Sequence, residues 1–390
     1  MNRRRFFQLT ATGTGGIMLL PHFLTANKLW EGISDTINEN ILVFIQLNGG
    51  NDGLNTFIPF TDPLYYDKRP SIAIAKDKVI SRSNGMGFHP ALKDFATMLQ
   101  EGNLTVIQNV GYPNPNRSHF RSQEIWQTAT DSNKYVDYGW LGRFLDLQCN
   151  DESLCSLNID NVDNLALKSS LSHGITIKDF NRIKNYSGAE AELKLSDNPQ
   201  LDFVRKLQYA SLEGMEEINK ALQQSEKYSE VYANNALSKN LEWIARLVKG
   251  NLNSKVYYTS LNGFDTHNNQ GPSHQRQLTI LNDAVYSFYK DLKSNKLLKN
   301  VTLVIFSEFG RRVHENGTGT DHGTAGPMFI IGGNNKGNVL GKNPDLGNLD
   351  KGDLIYDIDF RSVYATLLKE KFNFDPLQIN INNQIIKDLF

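Results

Sequence analysis

Residues 41–53 read ILVFIQLNGGNDG. The apolar run Ile41 to Leu47 ends in a short polar turn that holds three glycines and Asp52. Such a run, bounded by turn residues, is the pattern of a buried strand. The same pattern returns twice. Val256 to Leu261 runs into Asn262-Gly263-Phe264-Asp265-Thr266-His267. Val301 to Phe306 runs into Ser307-Glu308-Phe309-Gly310-Arg311-Arg312, with Asp321-His322-Gly323 beyond. In an open α/β sheet, ligands bind outside the carboxyl ends of the strands. If the three runs are neighbouring parallel strands, Asp52, Asp265, His267, Glu308 and His322 meet at one sheet edge. Carboxylate oxygens and imidazoles gathered there suit a divalent metal.

Working outward, strand-like and helix-like runs alternate from residue 40. Leu104–Val110, 255–261, 301–306 and 328–332 read as strands, with short candidates at Ser156–Ile159 and Leu165–Leu167. Helices are expected at Ser118 to Ala129, about 275–293 and Phe360 to Phe372. Residues 201–250 read as long helices: Leu212, Met215, Ile218 and Leu222 share one face, as do Leu237, Leu241, Ile244 and Val248, and Gly250 stops the second. They either cover the sheet or cap its edge. The alternation predicts one α/β domain over residues 40–390, with a mostly parallel central sheet sandwiched by helices. The loop 307–327 is long, with four glycines in 317–326, and loops of that length in a compact domain are usually functional.

The chain has 390 residues, 39% hydrophobic and 21% charged, enough for a sizeable core. A net charge of −1 gives no argument for a nucleic-acid partner. Residues 1–26 read as a targeting segment. Arg3-Arg4-Arg5-Phe6-Phe7 precedes a mildly apolar stretch, Leu9 to Leu20, that is too short to span a bilayer. N-R-R-R-F-F-Q resembles the twin-arginine pattern S-R-R-x-F-L-K, which implies export to the periplasm in a folded state, with no stable membrane span after signal removal. Cys149 and Cys155 are the two cysteines. In an oxidising compartment they close a small loop; as free buried thiols they do not.

Each motif has a plain reading beside the chemical one. Asp52 is a ligand, or a turn residue bonded to its own backbone. Asp265 and His267, two residues apart in an extended segment, face one cation, or Asp265 caps a helix opening near Ser273. His274 reads as a surface residue or a partner to a ligand. Glu308 with Arg311 and Arg312 makes a site for phosphate, sulfate or carboxylate, or a salt-bridged loop. His322, in a glycine-rich turn, reads as a ligand. Ser118 is a helix N-cap, or a nucleophile favoured by the helix N-terminus. Gly-x-Ser-x-Gly, Walker, dinucleotide and EF-hand patterns are absent.

L-N-G-G-N-D-G-L-N-T at 47–56, R-S-H-F at 117–120, G-F-D-T-H at 263–267, S-E-F-G-R at 307–311 and G-T-D-H-G at 319–323 resemble the exported bacterial family known as domain of unknown function 1501. The resemblance runs over about residues 40–345. It implies an alkaline phosphatase-like fold with a metal site at the strand ends. Residue by residue, Asp52 resembles the first metal carboxylate and Ser118 falls where the nucleophile is expected. Asp265, His267 and His322 resemble metal ligands, and Ser307-Glu308-Phe309-Gly310 stands in place of a Ser-Asp-His-Gly motif. Phe309 departs from that pattern, since a phenyl ring cannot coordinate a cation. Either one metal binds through Asp265, His267 and His322, or His119, His314 or Asp321 completes a second site. The resulting expectation is an exported metal-dependent hydrolase of phosphate or sulfate esters using zinc, calcium or manganese. Ser118 would be its nucleophile and Arg311 would offset charge on the substrate. The competing expectation is a non-catalytic exported binding protein that keeps a pocket for an anionic small molecule or glycan.

Overall fold

The computed structural model describes residues 40–149, 154–171, 174–180, 196, 198–225 and 231–390. The expected signal at residues 1–26 lies outside them. The elements that position the site are, in chain order, β1 (Ile41–Asn48), α1 (Pro63–Lys68), α2 (Lys93–Gln100), β2 (Leu104–Gly111), α3 (His119–Thr128), α4 (Trp140–Gln148), β3 (Ser156–Asn158) and β4 (Gly174–Thr176). They continue with α5 (Pro199–Gln224), α6 (Ala236–Lys249), β5 (Val256–Asn262), α7 (Gln270–Ser294), β6 (Val301–Ser307), β7 (Gly326–Gly332) and β8 (Val339–Leu340). The last are β9 (Leu349–Asp350), β10 (Asp353–Leu354), β11 (Ile358–Asp359) and α8 (Phe360–Phe372).

The sheet runs β8-β2-β7-β6-β1-β5-β3-β4, with β11 also on β2. β1 pairs in parallel with β5 and with β6. β7 runs antiparallel between β2 and β6. Register matters most for function. Asn48 stands level with Asn262, and Leu47 with Ser307. The three polar turns therefore leave the sheet from one edge at one height, as the three apolar runs suggest.

Strand side chains alternate between faces, and β1 shows both layers. Val43, Ile45 and Leu47 join a core with Leu241, Ile244 and Val248 of α6 and Leu278, Leu281 and Val285 of α7. Leu42 and Phe44 point the other way, to Trp126 of α3, Trp140 and Phe144 of α4, and Tyr364 and Leu367 of α8. This is the expected α/β fold, a mostly parallel central sheet sandwiched by helices. Ile218 and Leu222 of α5 join the first core layer, so the 201–250 region covers the sheet. Gly250 ends α6 as expected.

Two local expectations are corrected. Leu165–Leu167 is a 3-10 turn and not a strand, because the Asn164 side chain accepts from Ala166 N at 2.8 Å and closes the turn. α7 opens at Gln270 after Asn269, ahead of the expected start, which leaves Asp265 free of capping. Cys149 and Cys155 are joined in a disulfide. Among the described residues no helix is long and apolar enough to cross a membrane.

Candidate metal centre

The turn after β1 is shaped by its glycines. Gly49 and Gly50 both adopt positive φ, +116° and +74°, which L side chains rarely take. A Cβ on Gly49 would stand 2.3 Å from the Asp265 nitrogen, and one on Gly50 would stand 2.4 Å from the Phe309 ring. Bare backbone is required because the turns after β1, β5 and β6 pass through the same small volume.

Arg311 holds these turns together. Its side chain is buried, and it donates from Nε to Gly50 O at 2.7 Å, from Nη1 to Thr320 O at 2.8 Å and from Nη2 to Phe264 O at 3.0 Å and Asp265 Oδ1 at 2.6 Å. Nη2 also donates to Gly49 O. The guanidinium is thus turned inward onto carbonyls and one carboxylate. Burial alone would raise the Asp265 carboxyl, but the Arg311 charge and hydrogen bond hold it below its ordinary range.

Three imidazoles surround that carboxylate. His322 Nδ1 lies 2.7 Å from Arg117 O. A carbonyl only accepts, so Nδ1 carries the proton and Nε2 keeps its lone pair. His119 Nδ1 lies 2.9 Å from Glu308 Oε1, and His267 Nδ1 lies 3.2 Å from Asp321 Oδ1. The Glu308 contact again places the proton on Nδ1 of His119, while His267 has a carboxylate oxygen at each ring nitrogen. Every Nδ1 is anchored on an oxygen, the arrangement that orients metal-binding histidines and fixes their tautomer.

The three Nε2 atoms converge. His267 Nε2 lies 3.0 Å from His322 Nε2 and 3.0 Å from Asp265 Oδ1. His322 Nε2 lies 3.3 Å from Asp265 Oδ1, and His119 Nε2 lies 3.5 Å from Asp265 Oδ2. His119 Nε2 is buried without a hydrogen-bond partner. Donors at these separations are held together by a shared proton or by a cation between them. Donors about 2.0–2.1 Å from a tetrahedral zinc ion stand about 3.3 Å apart, which matches the spacings among His267, His322 and Asp265 and that of His119 to Asp265. The donors of His119, Asp265 and His322 all lie within 4.8 Å of one another. The residues present therefore fit one divalent ion with nitrogen-rich ligation.

Phe309 flanks two of the imidazoles, whose own centroids are 4.3 Å apart. Its ring centroid is 4.9 Å from those of His119 and His322, with tilts of 35° and 33°. It is buried and acts as an apolar wall against which both rings rest. Hydrogen bonding to Glu308 raises the His119 pKa above its ordinary 6.5. Burial, followed by the nearby charges of His119 and Arg311, lowers that of His322.

The other expected residues are placed differently. Asp52 is fully buried, and its Oδ2 accepts from Arg69 Nη1 at 2.6 Å and from Gln270 Nε2. Arg69 also donates to Val313 O at 2.9 Å and Arg312 O at 2.8 Å. Asp52 thus belongs to an internal ion pair, and among the described residues its side-chain hydrogen bonds run to Arg69 and Gln270. Glu308 Oε1 accepts from Gly49 N at 2.9 Å as well as from His119, so it orients an imidazole from behind. His274 is buried and lies 2.8 Å from Asn51 Oδ1, which excludes a surface position. Ser118 is exposed at the N-cap of α3, and its hydroxyl makes no capping bond. His314 stands 3.4 Å from Lys68 Nζ, away from the cluster contacts. Arg69 and Gln270 escaped the sequence reading, since neither lies in a motif and their pairing with Asp52 spans 17 and 218 residues.

No curated protein matches the sequence. A family model described as a protein of unknown function (DUF1501) matches residues 102–371, more than half of the chain, with the β1 turn outside the matched span. Solved structures similar to the chain include Ps i-CgsB in complex with k-i-k-neocarrahexaose, at 10% identity over 89% of this chain and 74% of that one, with a TM-score of 0.44. Another is the C-terminal periplasmic domain of EcEptC from Escherichia coli in complex with Zn, at 12% identity over 76% and 73%, with a TM-score of 0.38. A third is a protein in the alkaline phosphatase superfamily from Vibrio parahaemolyticus, at 11% identity over 87% and 67%, with a TM-score of 0.39.

Proposed function

The chain belongs to the DUF1501 family of proteins of unknown function, and from that premise we propose that it is an exported hydrolase of phosphate or sulfate esters working with a single divalent metal ion. The observation that carries this reading is the convergence of three Nε2 atoms and one carboxylate, each imidazole fixed from behind by an oxygen. His119, Asp265, His267 and His322 are the proposed ligands. Three nitrogens and one carboxylate suit zinc better than calcium, which takes oxygen ligands. A divalent ion there would supply Lewis acidity at an ester oxygen.

Residues of the chain do the rest. Arg311 orients Asp265 and lowers its proton affinity, so the carboxylate is ionised at neutral pH. Glu308 holds His119 in the tautomer that leaves Nε2 free, and Asp321 anchors His267 at Nδ1. Ser118 presents an exposed hydroxyl next to a ligand, at the N-terminus of α3, where the helix dipole favours a developing negative charge. It is the proposed nucleophile. Asp52 is assigned to charge balance with Arg69, so a single metal is expected. Export is supported by the arginine-led N-terminus and by the Cys149–Cys155 disulfide, a bond that persists in oxidising compartments.

One observation favours a second reading. Phe309 packs an apolar ring against His119 and His322, which leaves the centre short of a ligand for two-metal chemistry and suits a protein that binds without turnover. Assay of the purified protein with zinc, manganese or calcium on aryl phosphate and aryl sulfate separates the two. Turnover that vanishes in Ser118→Ala supports the hydrolase. Bound metal with no turnover on either ester would refute it in favour of the binding protein.

A further inference from the structure

Arg311, the arginine expected to offset charge on the substrate, is spent on the protein itself. The positive charge open to a ligand comes from its neighbours. We propose that Arg117 and Arg312, set on the buried carboxylate of Asp353, form the anion-recognition rim of the centre and receive the tetrahedral oxyanion of the substrate. This rests on the reading of the cluster as a metal site for anionic esters.

Both arginines belong to the segments that carry the imidazoles. The Arg117 carbonyl anchors His322 Nδ1 at 2.7 Å, and Arg117 lies two residues before His119. The Arg312 nitrogen donates to Asp321 O at 3.0 Å, and Asp321 anchors His267. Their backbones are therefore fixed against the cluster, and their guanidiniums meet at Asp353. Each remains partly open, with side-chain exposures of 37% and 36%.

Asp353 faces both from the hairpin β9–β10. Its side chain is 1% exposed. Arg117 Nη2 donates to Asp353 Oδ2. Arg312 Nε stands 3.9 Å from Asp353 Oδ1, too far for a hydrogen bond, and Oδ1 has no hydrogen-bond partner. A Cβ on Gly352 would stand 3.4 Å from Arg312 Nη1, so the hairpin turn backs that guanidinium. Thr324 Oγ1 donates to Leu354 O at 2.6 Å and latches the hairpin to the loop that carries His322.

The donor count is uneven, with Asp350 and Asp321 also placing negative charge near the rim. Two guanidiniums share one carboxylate, and five N–H donors on each exceed what Asp353 can take. Lys68 adds positive charge near His314, and His314 senses it: burial, then Lys68, Arg69 and Arg312, lowers its pKa. A planar guanidinium fork matches phosphate or sulfate in two parallel hydrogen bonds. A cation site beside a positive rim therefore selects an anion, with Asp353 holding the rim in shape when no ligand is present.

The test uses the full, metal-loaded protein and isothermal titration with inorganic phosphate and with sulfate, metal content being measured on the same samples. Arg117→Gln and Arg312→Gln are each expected to weaken anion binding about tenfold, as loss of one charge-assisted contact does, and the pair about a hundredfold. Metal stoichiometry should not change. Arg312→Lys should restore part of the affinity, since it returns the charge without the fork. Equal anion affinity in wild type and the double variant, with metal bound in both, would overturn the rim and leave the metal centre standing. Failure of the wild type to bind metal would instead overturn the functional reading on which the rim depends.

Discussion

Two aspartates stand beyond neighbouring strands, and their fates are opposite. Asp52, after β1, is fully buried and paired with the equally buried Arg69. Asp265, after β5, is 48% exposed and is held by Arg311 on one side, with three imidazoles on the other. Each has an arginine, yet only one has been closed. Around Asp52 the guanidinium completes the charge balance and Gln270 adds a second donor to Oδ2, while the buried Oδ1 has no hydrogen-bond partner. Around Asp265 the imidazole nitrogens still face one another. The protein supplies the cation for the first site, and on the proposed reading the second takes one from solution.

Breaking the closed site should have the largest effect. Removing one partner of a buried ion pair leaves an uncompensated charge, so Arg69→Ala should cost about 3–5 kcal/mol in urea denaturation. Asp265→Ala, at an exposed position, should cost far less in metal-free protein. Equal losses would erase the distinction between the two sites.

The open site should respond to metal where the closed one does not. Zinc at a hundredfold excess over Kd should stabilise the wild type by about 2.7 kcal/mol. The shift should persist in Asp52→Asn and disappear in Asp265→Ala, as read by thermal denaturation with and without EDTA.

A smaller effect sharpens the role of Glu308. Glu308→Gln keeps the side-chain volume but weakens the acceptor that orients His119, and such changes typically lower metal affinity about 10–100-fold. A cobalt or zinc titration checks it. Unchanged affinity would mean that His119 is not a ligand.

The pH responses should differ in sign. Burial opposes ionisation of Asp52, but Arg69 prevails and holds its pKa below 3.8. Its stabilising contribution is complete above that value and is lost as pH falls through the folded-state pKa. The bond to Glu308 raises the pKa of His119 above 6.5. In metal-free protein that contribution is complete below 6.5 and is lost as pH rises through the folded-state pKa. A proton on Nε2 excludes a metal, so metal affinity should fall as pH drops below the same raised value. Denaturation and metal titration across pH 3–8 read both trends.

How much of this was legible in the sequence follows from the range of each interaction. β1, β5 and β6 announce themselves as continuous apolar runs because both faces are buried. Their common edge follows from parallel pairing, and that brought Asp265, His267 and His322 into view together. His119 was visible only as an alternative, since its neighbour Ser118 has a simpler role as an N-cap. Arg69 was invisible. It lies at the end of α1, in no motif, and its meaning depends on a salt bridge that only the folded chain creates. The turn at Leu165–Leu167 was misread because three residues with two leucines carry the composition of a strand, while one Asn side chain decides the geometry. Arg311 was recognised as important, but the direction of its side chain is set by carbonyls from three other segments.

Elemental analysis of the natively exported protein, with Asp52→Asn and Asp265→Ala beside the wild type, tests the central claim most directly. The account predicts one metal equivalent in wild type and in Asp52→Asn, and none in Asp265→Ala. Metal retained in Asp265→Ala and lost in Asp52→Asn would contradict it.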